Sequence, residues 1–556
     1  MIDDRSPRPD EQESPSAEPI LDSILRLVTE TLRGRPSAGE LTAALIAVTM
    51  DAALARQAMD VLTASPTIWL DVDLAARRRH PPLTPRDLAE QPPSAGPHLP
   101  PLALALTACV WNGRERERAA RHPLMRTEAA LLPVLLIRTT DWVGAIRRRA
   151  LVALAEALAT ADLTRLLTAV PVAVRLARRT RATPALDVVR DALLRADDDT
   201  LNALLRPGDP SDRSRTIQDP RGRQFVYDVL LQAGRLNHAM LTTAALHEPD
   251  QLARTRCAHA LAAQAVEHDR PELAAAILDG TSAQGRVQAL TALVRLGHYE
   301  HGPRHLDDTA GMVRLTAQWA VRRSGGDPAA LYRHRLTTNQ PNQPDQPDQP
   351  DQPDQPARAQ SVRMSRGWLA GLGDCGTKDD AALVLPYLHH PRPRIRAEAV
   401  RTLRRLGART DLTTHLEDPA PVVVRNVVTT LLESGPAVPV ERLWTLLTPD
   451  RPHHVRQAAH RLLVVRDTWT RVKADLLLLC DPDEKLRARA LSDLTIWCRT
   501  DSATAYSHTC PPELRAELES LTRAADSLLS TENARLLRLS LRLSAAPSRP
   551  PAPSTS

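Results

Sequence analysis

The chain is 556 residues long and carries 72 Lys and Arg against 66 Asp and Glu, a formal net charge of +6. This length predicts more than one folding unit, because single hydrophobic cores stop growing at about 250–300 residues. Aromatic residues make up only 3% of the chain, and Ala and Leu dominate the 42% hydrophobic share. That composition favours close-packed helices and argues against a fold built on sheets.

The charge and the cysteines narrow the class of protein further. The basic residues are almost all Arg and lie interspersed with acids, so nucleic acid is only a weaker alternative as a partner. We expect an unknown protein partner and no cofactor. The six Cys are scattered without a C-x-x-C pair, which is typical of a reducing cytoplasm. The acidic, Pro-rich start is unlike a signal peptide, and the longest apolar stretch, 129–137, is too short for a membrane span. We therefore expect a cytoplasmic protein without membrane contact.

Taken in chain order, the sequence divides into two helical blocks with disordered ends. Residues 1–19 and 544–556 are rich in Pro and Ser and are predicted to be disordered tails. The first block, 20–338, contains Ser37-x-x-Glu40, which predicts a capping box ahead of a helix running to Leu62. Within this block, residues 81–101 are Pro-rich and predict a loop.

The second block, 357–543, follows a run of six triplets at 339–356 that reads NQPNQPDQPDQPDQPDQP. Proline at every third position favours extended polyproline II structure, and such a composition cannot build a packed core. The sequence therefore predicts that residues 339–356 are a linker or an insertion between the two blocks.

A repeated pattern runs through both blocks: Asp, four residues, an aliphatic residue, Arg, two residues, Ala. Weaker copies begin near Asn112, Asp250, Asp279 and Asp418, and neighbouring copies are 28 to 32 residues apart. In the copy that begins at His390, histidine replaces the Asp. Such a period with shared chemistry predicts a repeat architecture. The clear copies carry the pairs Asp141 and Arg147, Asp308 and Arg314, Asp450 and Arg456, and Asp481 and Arg487.

The spacing gives each residue of the pattern a structural role. We expect the Asp to be the N-cap of a helix, with Pro at the first helical position after Asp418 and Asp481. The aliphatic residue and the Ala are four apart and share one helix face, where the small Ala allows a neighbouring helix to approach closely. We predict that the Arg reaches the Asp of the next repeat, which gives an arginine–carboxylate ladder.

This pattern resembles the HEAT-repeat family, in particular the short bacterial HEAT-like repeats also seen in phycobilin-lyase relatives. The resemblance covers about 105–160, 250–325 and 380–500, and the stretch 160–250 is degenerate. It implies an all-α fold, an α-solenoid of stacked antiparallel helix pairs. It also implies a non-enzymatic scaffold or adaptor that presents a concave surface to a protein partner.

Two other functions stay open at this point. One is a DNA-binding protein like the HEAT-like alkyl-base glycosylases, which need a concentrated positive groove that the interspersed charges do not predict. The other is a phycobilin-lyase-like chaperone, for which no tetrapyrrole pocket is specified. The sequence contains neither G-x-S-x-G nor a Walker loop nor H-E-x-x-H. We therefore assign no catalytic, cofactor-binding or metal-binding residues.

Two residue types are nevertheless candidates for a site. The adjacent histidines His389 and His390, like the pair at 453–454, fall in the turn before a signature helix, where exposed polar residues are expected, so a metal site is disfavoured. Trp142, Trp319 and Trp497 fall within or beside signature helices, where large side chains usually wedge between repeats. We expect these three to be core residues rather than stacking platforms.

Overall fold

The computed structural model describes residues 17–78, 100–160, 162–206, 216–338, 366–433, 438–505, 508 and 510–543. These residues form 30 α-helices and several short 3₁₀ turns, and no strand occurs among them. The predicted all-α fold class is confirmed for this part of the chain. No helix within these ranges combines the length and the apolar character that crossing a membrane requires.

The chain divides into two compact units, Met1–Leu296 and Gly297–Ser556, here called unit 1 and unit 2. Unit 1 contains helices α1 to α17, which span, in order, Ala17–Leu32, Ala38–Ala47, Ala52–Thr63, Trp69–Arg78, Pro101–Thr107, Gly113–Arg121, Leu124–Thr127, Leu132–Arg138, Gly144–Ala157, Leu163–Leu176, Thr183–Arg195, Asp198–Leu205, Pro220–Gln232, His238–His247, Gln251–Glu267, Pro271–Ala275 and Ala283–Arg295.

Helices in unit 1 pack mainly against near neighbours in sequence. Helix α9 contacts α6 and α8, and α15 contacts α13, α14 and α17. The apolar positions of α9 recur every three or four residues and bury Ile146, Ala150 and Leu154. This spacing places them on one helix face, which is why the amphipathic sequence folds by packing that face inward.

Unit 2 contains helices α18 to α30, which span, in order, Gly311–Arg323, Pro328–Thr338, Arg366–Cys375, Ala381–Val384, Pro393–Arg405, Pro421–Glu433, Val440–Leu446, His453–Leu463, Thr468–Leu479, Glu484–Thr500, Ser502–Ala505, Pro512–Ala524 and Thr531–Leu543. Five of these helices form a series in which each helix contacts the following one: α18, α20, α22, α23 and α25. Helix α27 packs on α26, which also contacts α25.

The unit boundary differs from the division predicted from the sequence. It lies at Leu296–Gly297 because α19, which ends at Thr338, packs against α20, which begins at Arg366. The Tyr332 hydroxyl donates to the Leu306 carbonyl, and its ring lies where a Cβ on Gly371 would sit, 2.1 Å from Tyr332 Cζ. Only a glycine allows this close approach. The segment 339–356 itself lies outside the described residues.

Near the start of the chain the structure departs from the prediction in three places. Ser37 precedes α2, but its hydroxyl contacts Thr31 Oγ1 at 2.9 Å instead of capping the helix. The predicted continuous helix is two helices, because Asp51 caps a new one with hydrogen bonds from the Ala53 and Leu54 amides. Helix α1 already begins at Ala17, inside the predicted tail. The rest of both tails and most of the 81–101 loop lie outside the described residues.

Candidate binding surface

The aspartate of the repeat lies ahead of its helix. Asp418 accepts a hydrogen bond from the Ala420 amide at 2.8 Å, and Asp481 accepts one from the Asp483 amide at 2.7 Å. Helices α23 and α27 begin three residues after these aspartates, and Asp483 is the N-cap of α27. The prediction that the repeat aspartate is the N-cap is therefore wrong for these copies, whereas Asn112 and Asp250 of the weaker copies do cap α6 and α15. The carboxylate of Asp418 or Asp481 closes a short turn before the helix, and this leaves acceptor capacity for a second partner.

The arginine of the repeat folds back over the same turn. In α22, Nη1 of Arg396 donates to the carbonyl groups of His390 and Pro391 at 2.9 and 3.1 Å. These carbonyl oxygens lie six and five positions before the arginine. The same six-residue bond is made by Arg116, Arg147, Arg223, Arg254, Arg286, Arg314 and Arg487.

The remaining guanidinium nitrogens extend to an acid farther along the chain. Nε and Nη2 of Arg396 donate to the two oxygens of Asp418 at 2.8 Å each. Arg456 donates to the carboxylate of Asp481, and both side chains are buried. Both contacts join the arginine of one repeat to the aspartate of the next, and such bidentate charge-assisted bonds are among the stronger polar contacts in proteins.

A third contact of this kind uses an aspartate that the repeat pattern does not mark. Arg314 binds Asp374 through Nε at 3.0 Å and Nη2 at 2.8 Å. Asp374 lies near the end of α20. Asp308 accepts the Ala310 amide at 2.8 Å, as the other repeat aspartates do with their turns.

In unit 1, Asp141 is the centre of a buried ion cluster. Arg116 donates to its two oxygens at 2.9 and 3.2 Å, and Arg138 adds a bond at 3.2 Å. Since Arg116 also binds the Val110 carbonyl, the repeat begins at Val110, two residues before the predicted Asn112. Arg147 folds over the turn of Asp141 and binds its carbonyl at 2.8 Å.

The stretch that is degenerate in sequence contains a further contact of the same geometry. Arg223 donates from Nε and Nη2 to Glu248 at 2.6 Å each, and both side chains are buried. Glu248 therefore takes the position of the repeat aspartate, two residues before Asp250, where the copy is predicted to start. Both copies are hard to recognise, because the first has Gly222 before Arg223 and the second has Glu at the position of the acid.

Asp450 lies outside the ladder. Its side chain is 73% exposed, and its carboxylate lies 3.7 Å from Arg451. The position six residues after Asp418, which holds arginine in the other copies, is the buried Val424, while Arg425 is exposed. No ladder arginine precedes Asp450, so the series is interrupted between α23 and α25.

The ladder neutralises its own charges. Burial alone would raise the pKa of Asp418, but hydrogen bonds from Arg396 and the Ala420 amide outweigh it and hold that pKa below its ordinary value. The pKa of Asp141 is lowered against burial in the same way, chiefly by Arg116 and the Val143 amide. Where an acid binds the arginine, the ladder therefore neutralises its own charge, whereas Arg147 and Arg487 bind only backbone carbonyls within the described residues.

Free positive charge is found instead in a groove of about 650 Å³ in unit 2. Helices α22 and α23 begin at this groove, and their N-terminal amides add positive potential. We call it the arginine groove. Its lining residues are Thr309, Arg366, Arg392, Pro393, Arg394, Ile395 and Val422.

The three arginines of the groove are weakly engaged. Arg366 lies 3.7 Å from Glu398, which is also held by Arg401 at 2.8 Å. Arg392 and Arg394 are exposed, and neither forms an ion pair with a carboxylate among the described residues. This pairing state distinguishes them from Arg314, Arg396 and Arg456, which bind carboxylates, and makes the groove an acceptor for anionic groups.

An apolar stripe lies on α18, the helix that begins two residues after the groove residue Thr309. Met312, Leu315 and Trp319 are 62%, 44% and 38% exposed. Their spacing of three and four residues places them on one helix face, and Met312 follows the groove residue Thr309 by one turn. Large apolar side chains exposed together on one face are a common feature of protein interaction sites.

The three tryptophans that were predicted to be core residues differ in their burial. Trp497 is fully buried, but Trp142 is exposed and Trp319 belongs to the apolar stripe. The wedge prediction is thus wrong for Trp142 and Trp319, because the aliphatic and Ala positions already fill the helix contacts. Within the described residues, neither His389 nor His390 belongs to a group of three metal-ligand side chains. His389 is exposed beside the His415 ring, and His390 Nδ1 accepts the Arg392 amide at 3.0 Å.

Sequence reasoning missed the arginine groove. The signal was present in His390-PRPR-Ile395, where two arginines stand in the turn before a signature helix. Their meaning depends on Arg366 and Thr309, which come from distant parts of the chain and are brought to the same groove only by the fold.

Comparisons with known proteins add little. No protein-family model matches the chain, and no curated protein matches it. Among solved structures, the chain is similar to the crystal structure of an engineered protein, with 15% sequence identity over 79% of this chain and 97% of that chain and a TM-score of 0.19. A likeness at this level says nothing about function.

Proposed function

We propose that the chain is a non-enzymatic scaffold of HEAT-like repeats stacked into an α-solenoid, and that its arginine groove binds an acidic segment of a protein partner. The serial contacts from α18 to α25 support the stacked arrangement. The ladder supports it as well, because Arg396 and Arg456 each bind the aspartate of the next repeat. Stacked repeats bury their core and leave an extended surface for recognition.

The observation that carries the proposal is the contrast between paired and free arginines. Arg396 is saturated by Asp418 and by two backbone carbonyls. Arg392 and Arg394, only a few residues away, are exposed and form no ion pair within the described ranges. A carboxylate of a partner would find there the bidentate donors and the helix amides that the ladder aspartates find inside the protein.

The neighbouring apolar stripe favours a protein segment over nucleic acid. A peptide can offer carboxylates to the arginines and apolar side chains to Met312, Leu315 and Trp319 at the same time. Nucleic-acid surfaces are larger and more strongly basic, with many phosphate contacts. The dispersed net charge of +6 does not supply such a surface.

The test is the binding of a fluorescent acidic peptide that contains Asp, Glu and Leu, measured by anisotropy near physiological salt. We expect Arg392→Glu with Arg394→Glu to abolish binding. The control is Arg409→Glu with Arg499→Glu, which changes the net charge equally at two exposed arginines outside the groove lining. Removal of the stripe by Met312→Ser with Leu315→Ser is expected to weaken binding by about tenfold, since two apolar contacts are lost.

Plain and alkylated duplex oligonucleotides form the second arm of the experiment. Electrostatic binding to DNA falls by about 10³–10⁵ between 50 and 200 mM salt for six to ten phosphate contacts. Selective binding of the alkylated duplex at physiological salt, or release of an alkylated base, would replace this proposal with the glycosylase alternative. Unchanged peptide binding by the groove variant would remove the groove from the proposal. Affinity purification of wild type and groove variant, compared by mass spectrometry, then identifies the partner.

A further inference from the structure

Three helices at the C-terminal end of unit 2 bring together a histidine and two aspartates. His460 is on α25, Asp475 on α26 and Asp493 on α27. One ligand-type atom of each lies within 4.8 Å of the others, and His460 Nε2 is 2.6 Å from Asp475 Oδ1. His460 and Asp475 are buried, and Asp493 is partly exposed. None of these residues belongs to the ladder or to the arginine groove.

The second oxygen of Asp475 is unusual for a buried carboxylate. The side chain is fully buried, and Oδ2 has no hydrogen-bond partner among the described residues. A buried carboxylate oxygen left unpaired is costly, and such groups normally have a donor or a cation. The other oxygen is already engaged by His460, so the pair alone does not satisfy the site.

We propose that His460, Asp475 and Asp493 form a binding site for one divalent transition-metal ion of the zinc class. Imidazole nitrogen and carboxylate oxygen are ligands that zinc, cobalt and manganese accept. Tetrahedral zinc with bonds of about 2.0–2.1 Å needs its ligand atoms about 3.3 Å apart. Side-chain adjustments of an ångström or so, within the 4.8 Å span, would produce that spacing. The bound cation would give Asp475 Oδ2 its missing partner.

The surroundings provide an entrance and an open coordination position. A depression of about 360 Å³ beside His460 is also lined by Gln457, Arg461 and Arg489. Arg489 holds Asp493 at 2.7 Å in the metal-free protein, but its side chain is 63% exposed and can turn into solvent when the cation replaces it. Three protein ligands and an accessible fourth position are the arrangement that leaves room for water.

The residue types alone do not reveal this site. Each of the three residues sits singly on its own helix, and no metal-ligand spacing such as H-x-x-E or C-x-x-C connects them. The sequence directs attention instead to His389 and His390, which the fold leaves without an acidic ligand set. Only the packing of α26 against both α25 and α27 creates the cluster.

The experiment titrates the metal-free full-length protein with Co²⁺ and Zn²⁺. We expect one equivalent of Co²⁺ to give the visible absorption bands of a low-symmetry site, and Zn²⁺ to displace it. Asp493→Asn is the principal variant, because Asp493 is partly exposed and its loss should leave the fold intact. The Zn²⁺ affinity of this variant should fall by about tenfold or more, since replacing even groups that only orient metal ligands costs 10–100-fold.

The matched control is His389→Gln, which removes an exposed histidine elsewhere in the same unit and should bind Co²⁺ like wild type. Zn²⁺ should also raise the midpoint of thermal unfolding of wild type and of His389→Gln, and should raise that of Asp493→Asn by less, because a ligand that binds only the folded state stabilises it in proportion to its affinity. Absence of a one-equivalent cobalt spectrum, or equal affinities in wild type and Asp493→Asn, would overturn the proposal. The three residues would then be a buried histidine–aspartate pair with an exposed neighbour.

Discussion

Arg396 and Asp418 join two successive repeats of unit 2 through two parallel hydrogen bonds of 2.8 Å. The same guanidinium holds the carbonyl groups of His390 and Pro391 in its own repeat. The same carboxylate holds the Ala420 amide in the next repeat. One largely buried ion pair therefore fixes two turns at once, and removing either partner takes a hydrogen-bond partner from polar groups in both repeats.

We therefore predict that Arg396→Ala lowers the free energy of unfolding by about 3 kcal/mol, the cost typical of breaking a buried ion pair. Urea unfolding at neutral pH measures this change. The matched control is Arg425→Ala, because Arg425 is exposed on the next helix and should change stability by less than about 0.5 kcal/mol. Equal effects of the two variants would show that the ladder arginine contributes no more to the free energy of unfolding than an exposed arginine does.

The small residue of the repeat gives a second prediction. Ala490 is fully buried on α27, whereas Ala488 on the same helix is exposed. Ala490→Trp should overpack the contact and destabilise the protein by about 1–3 kcal/mol, and Ala459→Trp on α25 should do the same. Ala488→Trp changes the same side chain at a solvent position and should melt like the parent. If all three variants melt alike, the pattern's Ala does not form a tight helix contact.

Much of the helical fold could be predicted because the signal is local. Periodic Leu, Val and Ala define amphipathic helices. The arginine of the copies at Asp308, His390 and Asp481 also folds over its own turn, a contact that was not predicted from the sequence. The registers near Asn112 and Asp250 were displaced by two residues. In those copies a Val or a Glu occupies the position of the Asp. The start of the copy was therefore assigned to a nearby polar residue.

The candidate sites could not be predicted because they depend on tertiary packing. The arginine groove combines Thr309, Arg366 and Arg392 from separate segments of the chain. Asp450 matches the repeat in sequence, yet it is exposed, since its partner position holds Val424. The sequence pattern shows which residue occupies each position. It does not show whether the residue one repeat away can form an ion pair with it.

The lowered pKa values predict a loss of stability in acid. Hydrogen bonds from Arg333 and the Thr377 amide lower the pKa of Asp380 against burial, and the pKa of Asp418 is also lowered. A carboxyl whose pKa is lower in the folded state than in the unfolded state stabilises the protein above the unfolded value. That contribution is lost as the pH falls below the ordinary value of 3.8 toward the folded value.

We therefore expect the free energy of unfolding to fall as the pH drops below about 4. Asp418→Asn should be less stable than wild type at pH 6 and should lose less stability on acidification, since one titrating group has been removed. Urea unfolding across a pH series measures both effects. A parallel shift of the two curves, with the same slope in acid, would contradict the assigned role of Asp418.

The last prediction concerns a chain divided within residues 339–356. Division into two independent blocks predicts that fragments 1–338 and 357–556 fold separately. The structure places α19 and α20 in the same unit, with Arg333 bound to Asp380 at 2.6 Å and the Tyr387 hydroxyl donating to the Leu336 carbonyl at 2.9 Å. Both contacts cross the division. We therefore expect the two fragments, co-expressed as separate chains, to purify as one complex.

Gly371→Ala should weaken this association, because the added methyl group would lie 2.1 Å from the Tyr332 ring and force α19 away from α20. Arg333→Ala should weaken it less, since Arg333 is partly exposed and its bond to Asp380 is screened by water. His334→Ala is the matched control, because His334 is exposed on the same helix and should leave the complex intact. Co-purification with a tag on one fragment, followed by dilution to compare dissociation, distinguishes the variants. Fragments that separate in the parent would show that the two segments fold independently after all.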